Sequence, residues 1–198
     1  MRIGIMGGTF NPIHYGHLVT AEVVRDRFKL DKVIFIPSYR TPYKGRINLA
    51  PSRHRYKMTK LAIENNGYFS VSDIEIKRRG KSYTRDTMKG FKERFGKKTK
   101  LFFITGADAI AQIPKWKKAK ELPTLCEFIA ASRPGFRLKK LPPRYQRHTH
   151  LIEVPALAIS STNIRRRLKK GETIKYLLPE KVEKYIYKNK LYNARPIE

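Results

Sequence analysis

The sequence predicts an α/β fold: a doubly wound parallel β-sheet with helices on both faces and a small helical part toward the C-terminal end. Three observations predict it. Short apolar runs alternate with segments of helical period along the whole 198-residue chain, the order that parallel strands joined by helical crossovers require. The first apolar run ends in Gly7-Gly8 and reads as a buried strand entering a tight turn. With 40% hydrophobic and 11% aromatic residues the chain can bury a sizeable core, and its length suits one domain.

The elements follow in order. Residues 2–6 are the first strand. Residues 17–29 are a helix, with Ala21, Val24 and Phe28 at helical spacing. Residues 32–36 are an apolar, β-branched strand stopped by Pro37. Residues 38–51, rich in Pro, Tyr and basic side chains, are expected to be a long loop. Residues 52–65 are a helix, with Ser52 as N-cap and Asn66-Gly67 beyond its end. Residues 69–76 alternate imperfectly, and β-propensity favours a strand. A helix over 83–95 is closed by Gly96, and a strand over 100–104 ends at Thr105-Gly106. A short helix over 107–112 stops near Pro114. A strand over 127–131 leads into Arg133-Pro134-Gly135, and 151–154 is another short strand. Residues 162–170 and 179–189 are helices, the second with Pro179 at its first position. Ligands of such sheets bind beyond the carboxyl ends of the strands, where the strand order reverses. The chemistry is therefore expected at 7–17, 37–44, 105–108, 133–135 and 159–162.

Charge narrows the partners. Lys and Arg number 44 against 16 Asp and Glu, a net charge of +28. The basic excess is 5, 10, 7 and 6 in residues 1–50, 51–100, 101–150 and 151–198, so it is not gathered into a nucleic-acid-binding tail. Runs such as Lys77-Arg78-Arg79, Lys117-Lys118 and Arg165-Arg166-Arg167 read as solvated surface that also attracts phosphate-bearing ligands. No apolar run approaches the roughly 20 residues that span a bilayer, and the first apolar segment is too short for a signal peptide. Cys126, the sole cysteine, has no internal partner for a disulfide. A soluble cytoplasmic protein with anionic partners is expected, no membrane among them.

The strongest motif is Gly7-Gly8-Thr9-Phe10-Asn11-Pro12-Ile13-His14-Tyr15-Gly16-His17. The glycines let the backbone approach a ligand, but they do not complete a dinucleotide fingerprint. His14 and His17 stand at the start of a helix, where free N–H groups and a partial positive charge suit phosphate. Two imidazoles there can donate to phosphate oxygens as charge builds in a transition state. A zinc pair would need a third ligand, and no His-Glu-x-x-His is present. Near the other end, Ser161 and Thr162 in Ile159-Ser160-Ser161-Thr162-Asn163-Ile164-Arg165 can cap a helix while facing phosphates, with Arg165 one turn on.

These two motifs resemble those of the nucleotidyltransferase superfamily that uses His-x-Gly-His. Within it, Thr41-Pro42-Tyr43-Lys44, Ser82-Tyr83-Thr84-Arg85-Asp86-Thr87, Gly106-Ala107-Asp108, Pro114-Lys115-Trp116 and Arg133-Pro134-Gly135 are similar to bacterial nicotinate-nucleotide adenylyltransferases. Asn11 stands where many relatives carry Asp, and Tyr43 where they often carry His. The resemblance implies a Rossmann-like, nucleotidyltransferase-type fold in one domain over 1–198, with the Ser-Ser-Thr motif in a C-terminal helical part over about 160–192. It implies transfer of the adenylyl group of ATP to nicotinate mononucleotide, giving nicotinate adenine dinucleotide and pyrophosphate, with Mg²⁺ arriving on the ATP phosphates rather than in a protein cage. The attacking phosphate has a second pKa of about 6, so direct in-line attack needs no general base and no covalent intermediate. Catalysis then rests on positioning and charge stabilisation.

By the same resemblance, Gly7, Gly8, Thr9, Phe10, His14 and His17 meet ATP, His17 at the developing charge. Lys44, Ser161, Thr162 and Arg165 hold the triphosphate. At the pyridine end, the face of Trp116 suits a pyridinium cation. Backbone N–H groups near Thr84 and Lys117 can hold the ring carboxylate, and Tyr83 packs beside it. Asp108 lies near the ribose or phosphate end, and Arg133 meets the mononucleotide phosphate. Phosphopantetheine adenylyltransferases lack the Tyr-Thr-x-Asp and Pro-x-Trp stretches, and a nucleic-acid-binding module would show a recognition motif. No specific nucleic-acid partner is expected, and a homo-oligomer is compatible with the sequence.

Overall fold

The apolar runs form a six-stranded sheet. The computed structural model describes residues 1–41, 49–132, 141–155 and 157–194. In chain order the elements are β1 (Arg2–Gly8), α1 (Tyr15–Arg27), β2 (Lys32–Pro37), α2 (Ser52–Ile63), β3 (Phe69–Val71), α3 (Ile74–Arg78), α4 (Thr84–Phe95) and β4 (Lys100–Gly106). After these come α5 (Ala107–Ile110), 3₁₀ turns at Ile113–Lys115 and Ala119–Glu121, α6 (Leu122–Leu125), β5 (Glu127–Ser132) and α7 (Pro143–Gln146). The chain continues through β6 (Thr149–Glu153), α8 (Ser161–Lys170), α9 (Glu180–Lys188) and a 3₁₀ turn at Leu191–Asn193. The strand order is β3-β2-β1-β4-β5-β6, and every pairing is parallel. The chain runs outward from β1 to β3 and returns to β4, so the order reverses between β1 and β4. This is a doubly wound, Rossmann-like sheet.

Both faces are covered, as the near-continuous apolar strands require. Ile3 and Ile5 of β1, Ile34 and Ile36 of β2, and Leu101 and Phe103 of β4 pack against Met88 and Phe91 of α4 and Ile110 of α5. The alternate residues Met6, Val33, Phe35, Phe102 and Ile104 face Val24 of α1, Met58 of α2, Ile164 of α8 and Val182 of α9. The period-2 side-chain alternation thus divides one sheet between two cores. Among the described residues no helix is long and apolar enough to cross a membrane.

Some expectations are corrected. Residues 69–76 are not one strand: β3 ends at Val71, and α3 starts at Ile74. A strand would put Asp73 and Glu75 on one face with Phe69 and Val71. The chain instead turns at Ser72, whose hydroxyl accepts the Ile74 N–H at 3.3 Å, and the helix buries Glu75 against Thr87. Ser52 is the first helical residue and not the cap. Pro51 holds the cap position, and its carbonyl accepts from His54 and Arg55. Pro179 likewise caps α9 rather than opening it, accepting from Val182 and Glu183. In both cases proline's fixed φ allows the extended backbone of a cap. Pro114 lies inside a 3₁₀ turn, and β6 starts two residues earlier than expected.

Candidate active site

Gly7-Gly8 and Thr105-Gly106 leave the sheet side by side at the reversal of strand order. Two cavities open there, sharing Gly7, Gly8 and Thr105 in their walls. The first, of about 320 Å³, is lined by Phe10, His14, Gly16, His17, Gly106, Ser132 and Ile159 among others. The second, of about 550 Å³, is lined by Ser38, Glu75, Tyr83, Thr84, Trp116 and Lys117 among others.

The first cavity is shaped by local packing. A side chain at residue 8 would start 2.7 Å from the Phe10 ring, so glycine lets that ring fold back over the turn. One at residue 16 would start 3.0 Å from Nδ1 of His14. With glycine there, the His14 and His17 rings lie 3.8 Å apart, tilted by 33°. The edge of the Phe10 ring meets His17 at 5.1 Å. The His14 backbone N–H donates to Nδ1 of His17 at 3.2 Å. The proton of a neutral His17 therefore sits on Nε2, as a donor. Burial pushes His14 down to about 4. Burial, with the nearby His14 ring, pushes His17 down to about 3. Both imidazoles are neutral at pH 7 in the ligand-free protein. Nδ1 of His14 is buried and has no hydrogen-bond partner among the described residues, and a ligand atom can satisfy it.

The second cavity gathers four separate stretches. Trp116 follows the 3₁₀ turn Ile113–Lys115 and packs edge-on against Phe103 of β4 at 5.9 Å. The ammonium of Lys117 lies 4.4 Å over the Tyr83 ring. Tyr83 caps α4, and the first N–H groups of a helix have no intrahelical acceptor. Glu75 of α3 accepts from Thr87 at 2.6 Å.

Residues 5–167 match the cytidylyltransferase-like family. A protein of Thermoanaerobacter sp. (strain X514) named "probable nicotinate-nucleotide adenylyltransferase" is 54% identical over 97% of this chain and 94% of its own. One of the same name from Moorella thermoacetica is 54% identical over 98% and 93%. The chain belongs to the nicotinate-nucleotide adenylyltransferase family. The fold agrees. Plasmodium falciparum nicotinic acid mononucleotide adenylyltransferase, solved in complex with NaAD, superposes with a TM-score of 0.75 at 25% identity, covering 98% of each chain.

In this nicotinate-nucleotide adenylyltransferase-family fold the expected site residues are distributed unevenly. Gly7 and Gly8 line both cavities, and Phe10, His14 and His17 the first. Thr9 opens to the second cavity, together with Tyr83, Thr84, Trp116 and Lys117. Asp108, exposed on the first turn of α5, lines neither. Lys44, Tyr43 and Arg133 lie outside the described residues. The cap of α8 is Ser160, whose hydroxyl accepts from the Asn163 N–H, not Ser161 or Thr162. Ser161 donates instead to the Pro12 carbonyl at 2.8 Å, and Arg165 to the Asn11 carbonyl at 2.9 Å. Arg165 also reaches the Thr162 hydroxyl at 3.4 Å. The Ser-Ser-Thr helix is thereby fastened to the turn that precedes His14. Asn11 accepts the Ala50 N–H through its side-chain oxygen, a bond that the Asp of many relatives could accept equally.

Two residues escaped the sequence reading. Arg55 is only 1% exposed, and its guanidinium donates to the carbonyls of Thr9, Tyr39 and Ala50. It pins the loop after β1 to the loop after β2. Burial pushes it down to about 10, so it stays charged at pH 7. Glu75 was concealed by the strand expected over 69–76. Among the described residues no group of three or more His, Cys, Asp or Glu side chains is placed to hold a metal ion.

Proposed function

We propose that the protein transfers the adenylyl group of ATP to nicotinate mononucleotide, releasing pyrophosphate. One observation carries the reading: two cavities of different chemistry meet at a glycine-rich seam, so two nucleotides can present their phosphates to each other there. ATP occupies the first cavity and the mononucleotide the second. A phosphate oxygen of the mononucleotide attacks the α-phosphorus of ATP in line, one P–O bond forms, and the α–β bridging bond breaks. The nucleophile is already largely dianionic at pH 7, so no side chain has to remove a proton.

His17 donates from Nε2 to a phosphoryl oxygen as charge shifts toward the leaving pyrophosphate. A neutral donor suits this role, because it does not bind the ground-state triphosphate with the full strength of an imidazolium. On the family resemblance, His14, Lys44, Arg165, Ser161 and Thr162 are assigned to the triphosphate and Arg133 to the mononucleotide, with Asp108 approaching the mononucleotide from outside the cavity wall. The scarcity of acidic side chains at the seam fits Mg²⁺ entering as part of the ATP complex, where it neutralises phosphate charge. Trp116 faces the pyridinium, and the N–H groups that open α4 hold its carboxylate. The reading places the enzyme in the cytoplasm.

An assay with ATP-Mg²⁺ against nicotinate and nicotinamide mononucleotides side by side tests this. Dinucleotide formation is expected with the acid and much less with the amide. No turnover with either overturns the reading, and equal turnover overturns its acid selectivity.

A further inference from the structure

The second cavity carries charges of both signs. Lys115 and Lys117 stand in its wall with Trp116, and Glu75 lines it as well. Glu75 is 7% exposed. Its hydrogen bonds among the described residues come from the hydroxyls of Thr87 and Ser82 rather than from a cation. Arg78 is turned to the Thr87 hydroxyl at 3.1 Å, and Arg55 is committed to three carbonyls. Both act on Glu75 only from a distance. Burial pushes the Glu75 carboxyl above its usual range, and a buried carboxylate with no ion pair among the described residues is costly to a fold. It is retained to advantage where a ligand brings the opposite charge.

The base of nicotinate mononucleotide is a zwitterion, with positive charge delocalised over the ring and negative charge on the carboxylate. An acid and two lysines around an indole face match that pattern. We propose that Glu75 is the counter-charge for the pyridinium ring and thereby a specificity-determining residue, an inference that rests on the mononucleotide reading above. Trp116 offers its ring face to the cation and Glu75 offers its charge, while the lysines and the start of α4 receive the carboxylate.

Chemical reduction of the ring provides the test. The 1,4-dihydro form of nicotinate mononucleotide keeps the carboxylate and phosphate but loses the positive charge. Calorimetric titration of the wild type should show the oxidised form bound about tenfold more tightly. Glu75→Gln should weaken the oxidised form by about that factor, leave the reduced form within about twofold and leave ATP affinity alone. Thr87→Val removes the 2.6 Å bond and keeps the charge, so it should preserve the oxidised preference. Equal weakening of both forms by Glu75→Gln, or loss of the preference in Thr87→Val, would make Glu75 a scaffold group and overturn the proposal. A wild type that does not distinguish the two forms overturns it even if Glu75→Gln does not fold. Turnover of the oxidised form with ATP, measured on the same preparation, separates the two readings. Its absence defeats the substrate assignment, whereas turnover with equal losses defeats only the role of Glu75.

Discussion

The two cavities share Gly7, Gly8 and Thr105 but use opposite means. The described wall of the first carries neutral polar groups, chief among them the buried His14 and half-buried His17, both held uncharged by their surroundings. The wall of the second carries ionisable side chains of both signs, Glu75, Lys115 and Lys117, beside one indole. The difference suits what each does in the proposed reaction. A group that stabilises charge appearing only in the transition state gains nothing from gripping the ground state. A group that selects one substrate has to interact with it before reaction.

The largest expected effect breaks the comparison on the first side. His17→Ala should lower kcat by about 100-fold or more, as loss of one preorganised donor does. Melting and circular dichroism should stay near wild type, because the ring is replaced at a cavity wall. Comparable kcat in the variant would remove His17 from its role. Next, on the second side, Trp116→Ala should raise KM for the mononucleotide by about tenfold and leave KM for ATP nearly unchanged. Equal shifts in both constants would erase the division of labour between the cavities.

These effects differ in how far the sequence announces them. The first cavity is built mainly from residues 7–17, one contiguous motif whose Gly-Gly turn, histidine pair and helix start are legible together. The sheet was legible too, because strands buried on both faces read as unbroken apolar runs. The second cavity is assembled from 7–9, 38–41, 75–84 and 103–117, and beyond the glycine turn only Trp116, Lys117 and the Tyr83-Thr84 pair signal it. Glu75 was hidden because local alternation favoured a strand, while the bond to Thr87 that fixes its burial depends on tertiary packing. Arg55 carried no signal: its three carbonyl partners come from segments 9, 39 and 50, and a lone arginine in a helix reads as surface. Ser161 and Arg165 were legible as a site motif, but their bonds to Pro12 and Asn11 span more than 140 residues of sequence.

The uncharged state of the first cavity gives a smaller, pH-dependent effect. With His14 near 4 and His17 near 3, kcat/KM for ATP should show no histidine titration between about pH 5 and 8. A transition centred at about 6.5 that vanishes in His14→Asn would indicate a charged imidazole, whereas one that persists belongs to the nucleotide phosphates. Stability follows the same sign. The unfolded chain takes up these protons first, so stability declines as pH falls below about 6.5 toward the folded-state values. In His14→Asn the acid slope of the melting temperature should flatten. The smallest effect concerns the +28 net charge. If it draws both anionic nucleotides inward, kcat/KM should fall by about threefold from low to physiological ionic strength. A flat response would leave the surplus without a part in capture.

In the proposed reaction adjoining cavities hold both nucleotides at once, and a ternary titration checks this. Nicotinate mononucleotide is titrated calorimetrically into the protein, alone and with a saturating non-hydrolysable ATP analogue. Simultaneous occupation, one mononucleotide per chain in both titrations with similar affinity, is the expected result. Exclusion of the mononucleotide by the analogue would mean a single shared pocket and would contradict the two-cavity account.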